Sequence, residues 1–167
     1  MKKYVLFASC LMLFSCNDGD LQIETLDFDS IKTIKSCSAI SVSSANVLFK
    51  INNDEALIIE LPNGVIKNEA TIEDIISQVP AAAKITYRIF SDNVTESYFC
   101  DDVPPVTPIV TEEITAEDGQ VFITTVEIDA NTYEHTIRLS GISLVTGNDN
   151  RITDLQINEF GTVTTSL

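Results

Sequence analysis

One histidine and a large set of carboxylates are the residues of this chain best suited to acid–base chemistry. His135 is the only histidine, and the 167 residues include 25 Asp and Glu. An alternating strand would place His135 on one face with Ile137 and Leu139, and Glu134 on the other. No Ser or Cys nucleophile is placed beside it. We therefore expect a half-buried strand residue at His135, with a general base or metal ligand as the alternative.

Carboxylates in adjacent or alternate positions are the second candidate for catalysis. A glycosidase needs two carboxyl groups roughly 5–10 Å apart across a cleft. With 25 acidic residues such pairs arise by chance, and most are typical of solvated turns. The pairs are Asp27 and Asp29, Asp101 and Asp102, Glu112 and Glu113, and Glu117 and Asp118. The sequence thus predicts no catalytic residues, and we expect a protein that is not an enzyme.

Calcium is the metal that this composition would suit best, because Ca²⁺ binds roughly six to eight oxygen ligands. Asp149 and Asp154, around the polar stretch 147–150, could supply some of them, and so could Asp101 and Asp102. Neither group has the spacing of an EF-hand loop. We predict polar turns and no cofactor, with Ca²⁺ binding as the alternative.

Two cysteines in the body of the chain, Cys37 and Cys100, are candidates for a disulfide. An oxidising compartment would favour their pairing. The bridge would span 63 positions, a loop for which chain entropy predicts about 4 kcal/mol of stabilisation. The alternative is two buried free thiols. Two cysteines and one histidine cannot complete a closed zinc site.

The first fifteen residues have the order of a signal peptide. Lys2 and Lys3 are basic, residues 4–14 are almost entirely apolar, and Ser15 is small. The apolar run is shorter than the ~20 residues that a membrane span requires. We therefore predict that residues 1–15 are removed on export.

The end of this leader resembles the lipobox of bacterial lipoproteins, with Leu13 three residues before Cys16 and Ser15 just before it. The resemblance implies that Cys16 becomes the acylated N-terminus and anchors the protein to a membrane, since two or more acyl chains hold stably. An ordinary secreted cysteine is the alternative. Cleavage before Cys10 would leave too short an apolar region.

Residues 16–20 would form an acidic tether, and the whole chain resembles the short, uncharacterised outer-membrane lipoproteins of flavobacteria. Asn17-Asp18-Gly19-Asp20 is similar to the acidic stretch that directs such proteins to the cell surface. The resemblance implies surface display, with the periplasmic face as the alternative. Asp29-Ser30-Ile31 resembles an O-glycosylation signal of the same group, which makes Ser30 the candidate acceptor.

The net charge of the chain limits the classes of partner that it can bind. The formal charge is −15, and loss of the leader, with two lysines and no acid, makes it −17. This excess of acids argues against nucleic acid and against direct contact with anionic lipid head groups. The membrane would be bound through the acyl chains on Cys16 alone, and an envelope protein or a glycan is the expected partner.

Strand patterns dominate residues 21–167, which we predict to form one all-β domain. Alternation at 46–51 and 56–61 indicates a hairpin, and 132–145 indicates a long strand with Gly141 at a bend. Further strands are expected at 84–90, 95–100, 151–157 and 161–166. Asp118-Gly119 is typical of a second hairpin turn, between strands at 109–116 and 120–128.

Residues 71–79 break this rhythm. Ile72, Ile75, Ile76 and Val79 are spaced as on one face of a helix, with Thr71 as its N-cap and Pro80 beyond its end. The predicted fold is a single antiparallel β-sandwich, Ig-like or related, with one short helix near 71–79. The predicted function is a non-catalytic binding or structural module of the envelope. The alternatives are a small hydrolase using acidic residues and an accessory subunit of an envelope complex.

Overall fold

The structure is a computed structural model that describes residues 26, 28–147, 151–152 and 159–167. Within these residues, strands alternate along the chain with short connections and one short helix. The elements are β1 (Asn46–Asn52), β2 (Glu55–Leu61), β3 (Ile75–Val79), β4 (Lys84–Phe90), α1 (Glu96–Cys100), β5 (Val110–Asp129), β6 (Thr132–Val145), β7 (Arg151–Ile152) and β8 (Glu159–Ser166).

All described strands belong to one antiparallel sheet with the order β1-β2-β4-β5-β6-β7. β3 pairs with β5, and β8 pairs with β6. The sheet curls into a half-barrel whose inner face carries the main apolar core. The all-β antiparallel class is therefore confirmed, whereas the two packed sheets of a sandwich are replaced by one curled sheet.

The continuity of the sheet depends on β5, which is 20 residues long. Asp118 and Gly119, predicted to turn a hairpin, instead form bulges inside β5, so that prediction was wrong. Gly119 has φ +130°, and a Cβ there would lie 2.5 Å from Cδ1 of Ile142. Glycine is needed here for a bend and a close approach to β6, not for a chain reversal.

The predicted helix at 71–79 was also wrong, because Ile75–Val79 is strand β3. Ser77 and Val79 are buried at strand spacing, while Ile72 is fully exposed. Thr71 does not cap a helix, since its hydroxyl accepts the Thr125 N–H at 2.9 Å. A short apolar run fits the period of a helix and that of a strand equally well. The β-branched residues of this run, and the edge of β5 that is available for pairing, favour the strand.

The helix of this structure lies at α1, in a stretch predicted as a strand, and it covers the outer face of β1. The Phe99 ring stacks on Phe49 with centroids 4.4 Å apart. Phe90 and Tyr98 add edge-to-face contacts to the same cluster. Cys100, the last residue of α1, forms a disulfide with Cys37, as predicted. A second, smaller apolar cluster is thus formed outside the half-barrel.

Other strand predictions are confirmed. The 46–51 and 56–61 pair forms β1 and β2, joined at Asn52 and Glu55. The 132–145 strand is β6, and Gly141 within it has φ +64°. The predicted strand at 161–166 lies within β8. Of the predicted strand 151–157, the structure describes β7, and the remainder lies outside the described residues.

Candidate functional site

A groove lies between β8 and the segment of residues 34–40. Its cavity volume is about 550 Å³. Leu48, which is fully buried, and Val163 form part of its apolar floor. Hydroxyl-bearing residues form much of its walls, namely Ser36, Ser38, Thr162, Thr164, Thr165 and Ser166. An apolar floor with polar walls is the usual composition of a ligand site.

The two walls of the groove meet at Gly161 and diverge from there. A Cβ on Gly161, whose φ is +133°, would lie 3.0 Å from Cδ1 of Ile34. Beyond this contact the segment follows β1, because Lys35 and Phe49 exchange backbone hydrogen bonds of 2.8 and 2.9 Å. β8 follows β6 instead. The groove therefore occupies the opening of the half-barrel.

The disulfide holds the segment wall from its outer side. Cys37 lies between the lining residues Ser36 and Ser38, and its bond to Cys100 ties the segment to α1. The Lys35 ammonium adds an ion pair to Glu96 of α1 at 2.7 Å. This wall is thus fixed by covalent and ionic contacts outside the groove.

Among the described residues, Lys35 is the only charged one that lines the groove, and its charge is paired. No carboxylate of the described part of the chain lines it, although the chain has 25 acidic residues. The groove is therefore an uncharged surface on a strongly acidic protein, which favours a ligand without formal charge.

Below the groove, His135 is fully buried and belongs to a chain of neutral hydrogen bonds. Thr165 Oγ1 donates to Asn68 Oδ1, so His135 Nε2–H donates to Thr165 Oγ1 across 2.7 Å. His135 Nδ1 then accepts from the Thr125 hydroxyl at 2.9 Å. Burial lowers the pKa of His135. With both nitrogens satisfied and no exposure, the arrangement is typical of a structural histidine rather than a general base.

Lys50 is a buried amine that sequence reasoning missed. It is 2% exposed, its Nζ donates to the Phe28 carbonyl at 2.9 Å, and it lies 5.1 Å from the Phe160 ring centroid. Burial lowers the pKa of Lys50, and the Asp29 carboxylate opposes this shift. A lysine in the apolar run 47–51 was the available signal. Its contacts fit a cation that holds the 28–29 backbone against β1.

The structure does not bring those sequence-predicted carboxylates that it describes together in one cleft. The Glu113 carboxylate forms an ion pair with Arg88. The Asp118 carboxylate accepts a hydrogen bond from the Gly119 N–H. Asp29 has one buried oxygen without a hydrogen-bond partner. Asp101 and Asp102 are exposed after α1. The described residues contain no group of three or more His, Cys, Asp or Glu that could hold a metal ion.

Two carboxylates outside the predicted pairs have shifted pKa values. A hydrogen bond from Thr124, followed by the charge of Arg138, lowers the pKa of Asp74. The backbone N–H of Asn131 lowers the pKa of Asp129. A general acid needs a pKa raised toward neutrality, so these two carboxylates are suited to ion pairing and turn formation.

Several predicted sites lie outside the described residues. Cys16, the tether 17–20, Asp27, Asp149 and Asp154 are all among them. Ser30 is described and exposed, two residues after the buried Phe28. No helix in the described part of the chain has the length and apolar character to cross a membrane.

Comparison with known proteins identifies no relative of this chain. The sequence matches no protein-family model, and searches of curated proteins and of solved structures gave no match. The groove and its neighbours are therefore the basis for assigning a function.

Proposed function

We propose that the chain is an exported lipoprotein, anchored to the outer membrane through acyl chains on Cys16, whose domain is a non-catalytic binding module facing the cell exterior. The observation that carries the binding function is the uncharged groove between residues 34–40 and β8. The lipobox-like leader supports the anchor, and the acidic tether supports surface display.

Binding is favoured over hydrolysis by the placement of the reactive groups. His135 is buried within a satisfied hydrogen-bond chain, and none of the described carboxylates lines the groove. The groove instead offers hydroxyls, backbone groups and an apolar floor, which recognise a ligand without reacting with it. An envelope protein or a glycan is the partner class that this surface accommodates.

An accessory subunit is a second candidate, favoured by the proline-rich connection before β5. Val103, Val106 and Ile109 are 82%, 89% and 58% exposed there. Exposed apolar residues in sequence proximity are typical of protein contact sites. A Val103→Ser, Val106→Ser variant that no longer co-purifies with an envelope complex would support this candidate, whereas unchanged co-purification would remove it.

The anchor is tested by labelling with radioactive palmitate in a bacterial host that acylates lipoproteins. We expect label in the wild type and in Cys10→Ala, and none in Cys16→Ala. Equal labelling of Cys16→Ala would refute the anchor. Protease added to intact cells then tests the leaflet, since degradation supports surface display and resistance supports the periplasmic face.

The groove is tested by a photo-reactive amino acid at Ser38, with the same group at Thr115 as the matched control. Both side chains are exposed, but Thr115 lies on β5, away from the groove. We expect irradiation of intact cells to give a cross-linked species at position 38 and not at 115. Cross-links that are equal at both positions would argue against the groove as the binding site.

A further inference from the structure

We propose that the groove binds a short, uncharged peptide segment in an extended conformation, which adds as a strand to the free edge of β8. This inference rests on the binding function proposed above and names its partner class. Main-chain hydrogen bonds would supply the affinity and the groove floor would select the side chains, as in other cases of strand addition.

The free edge follows from the register between β6 and β8. Thr132 lies opposite Ser166, and the Leu167 N–H donates to the Asn131 carbonyl at 2.9 Å. In an antiparallel pair, residues alternate between facing the partner strand and facing away. Val163 and Thr165 therefore direct their N–H and C=O groups toward β6.

The backbone N–H and C=O groups that point toward the groove are those of Thr162, Thr164 and Ser166. The Ser166 carbonyl accepts from Asn68 Nδ2 at 3.4 Å, which fits a carbonyl that faces away from β6. Among the described residues, no backbone group pairs with Thr162 or Thr164 on this side. A row of unpaired N–H and C=O groups is the template that an added strand requires.

The dimensions and floor of the groove fit one such strand. Residues 162–166 span about 13 Å at ~3.3 Å per residue, which pairs with about five peptide residues. Alternate side chains of an added strand would point down toward Leu48, Ile40 and Val163. The other side chains would face the hydroxyls of the walls.

Charge argues for an uncharged segment. The Lys35 ammonium is paired with Glu96, so the described lining residues offer no free charge to match a charged side chain. The formal charge of −15 would repel an acidic peptide. A basic peptide would be attracted to the acidic surface outside the groove, because no described carboxylate lines the groove itself. A neutral peptide matches the groove at the lowest desolvation cost.

Amide hydrogen exchange, followed residue by residue by NMR on the free domain, tests the open edge. We expect slow exchange at Val163 and Thr165, whose N–H groups face β6, and fast exchange at Thr162, Thr164 and Ser166. Slow exchange at all five would show that the edge is already covered and would overturn the proposal. Protection that appears only at high protein concentration would identify a second copy as the occupant, with the same consequence.

Binding is tested with capped, uncharged peptides of alternating threonine and an apolar residue, acetyl-X-Thr-X-Thr-X-Thr-X-amide, pooled over X as Val, Ile, Leu and Phe. We expect the pool to slow exchange at Thr162, Thr164 and Ser166. A matched pool with N-methyl groups on alternate amides, in both registers, cannot form these bonds and should have no effect. No effect of the first pool, or equal effects of both, would overturn the proposal.

Variants at position 164 give an independent test. Thr164→Pro removes an N–H that faces the groove and is not needed for pairing with β6, a place where edge strands tolerate proline. Thr164→Val keeps the N–H and removes only the hydroxyl. We expect peptide affinity to fall at least about tenfold in the first variant and less than threefold in the second. If Thr164→Pro does not fold, the N-methyl comparison still decides.

Different results would overturn binding in the groove and strand addition to β8. A partner that cross-links at position 38 but binds Thr164→Pro as well as the wild type would leave the binding function and remove strand addition. Absence of any cross-linked partner at position 38 would remove the binding function itself.

Discussion

Two edges of the curled sheet, at β1 and at β8, differ in how far neighbouring chain covers them. The β1 edge is covered by residues 34–40, which are held by the Lys35–Phe49 backbone pair, the Cys37–Cys100 disulfide and the aromatic cluster under α1. The β8 edge has none of these among the described residues. Exposed edges invite pairing with other chains, so proteins commonly cover or charge them.

The segment that covers the β1 edge also forms the groove wall opposite β8. Residues 34–40 close β1 on one side and face β8 on the other. The disulfide fixes this segment, and residues 162–166 of β8 include no charged residue and no proline, so a gap remains between the segment and β8.

Removal of the disulfide should have the largest effect. Closure of a 63-residue loop stabilises the fold by about 4 kcal/mol in the chain-entropy estimate. We expect a Cys37→Ser, Cys100→Ser variant to lose unfolding free energy of that order in urea titrations. Exchange at the Lys35 and Phe49 amides should also accelerate, because the segment is then held to β1 without its covalent tie. Unchanged exchange at both amides would show that the disulfide does not maintain the cover.

Gly161→Ala should have the next largest effect, because the two walls meet at this residue. The added Cβ would lie 3.0 Å from Ile34 Cδ1 at a φ of +133°. We expect a loss of about 2–3 kcal/mol in unfolding free energy. Gly141→Ala is the matched control, since its φ is +64° but its Cβ would enter open space, and its cost should be only about 1 kcal/mol. Equal costs would mean that the walls do not meet tightly at Gly161.

The buried histidine under the open edge predicts a pH dependence. Burial lowers the pKa of His135 in the folded state relative to the unfolded chain, so the unfolded state binds more protons between the two values. Stability is therefore complete above an unfolded pKa of about 6.5 and falls as the pH drops below it. The slope for one proton is at most about 1.4 kcal/mol per pH unit.

The chain has no other histidine, so His135→Leu is the control for this slope. Urea titrations between pH 7.5 and 5.5, at roughly half-unit steps, should show the decline in the wild type and a flatter profile in the variant. A wild-type profile as flat as that of His135→Leu would mean that His135 charges as easily in the folded state as in the unfolded one.

The sequence predicted those parts of the fold that depend on local alternation. The β1–β2 pair, β6 and the all-β class follow from apolar residues at every second position. The Cys37–Cys100 pair followed from the number of cysteines and the leader. These features need only short-range pattern or counting, and the structure agrees with them.

The features that the sequence did not predict depend on contacts distant in the chain. Gly119 has the local signature of a hairpin turn, but its role is set by Ile142 on β6. The helical spacing around residues 75–79 covers too few residues to specify a helix. Their hydrogen-bond pairing with β5 makes them a strand. The groove could not be predicted because residues 34–40 and 162–166 are more than a hundred positions apart and neither segment contains a recognisable site motif.

The smallest effect on stability should come from a charge placed on the open edge. Thr164 is exposed, and its backbone N–H faces the groove, so Thr164→Lys should change the unfolding free energy by less than about 0.5 kcal/mol. The same change should weaken binding of the uncharged peptide pool, because edge lysines oppose strand addition. Thr115→Lys, on an inner strand, is the control and should leave peptide binding unchanged. If both variants keep the wild-type stability and only Thr164→Lys loses peptide binding, the open β8 edge serves binding and not stability. Equal binding in both variants would show that β8 is not the edge at which the partner adds.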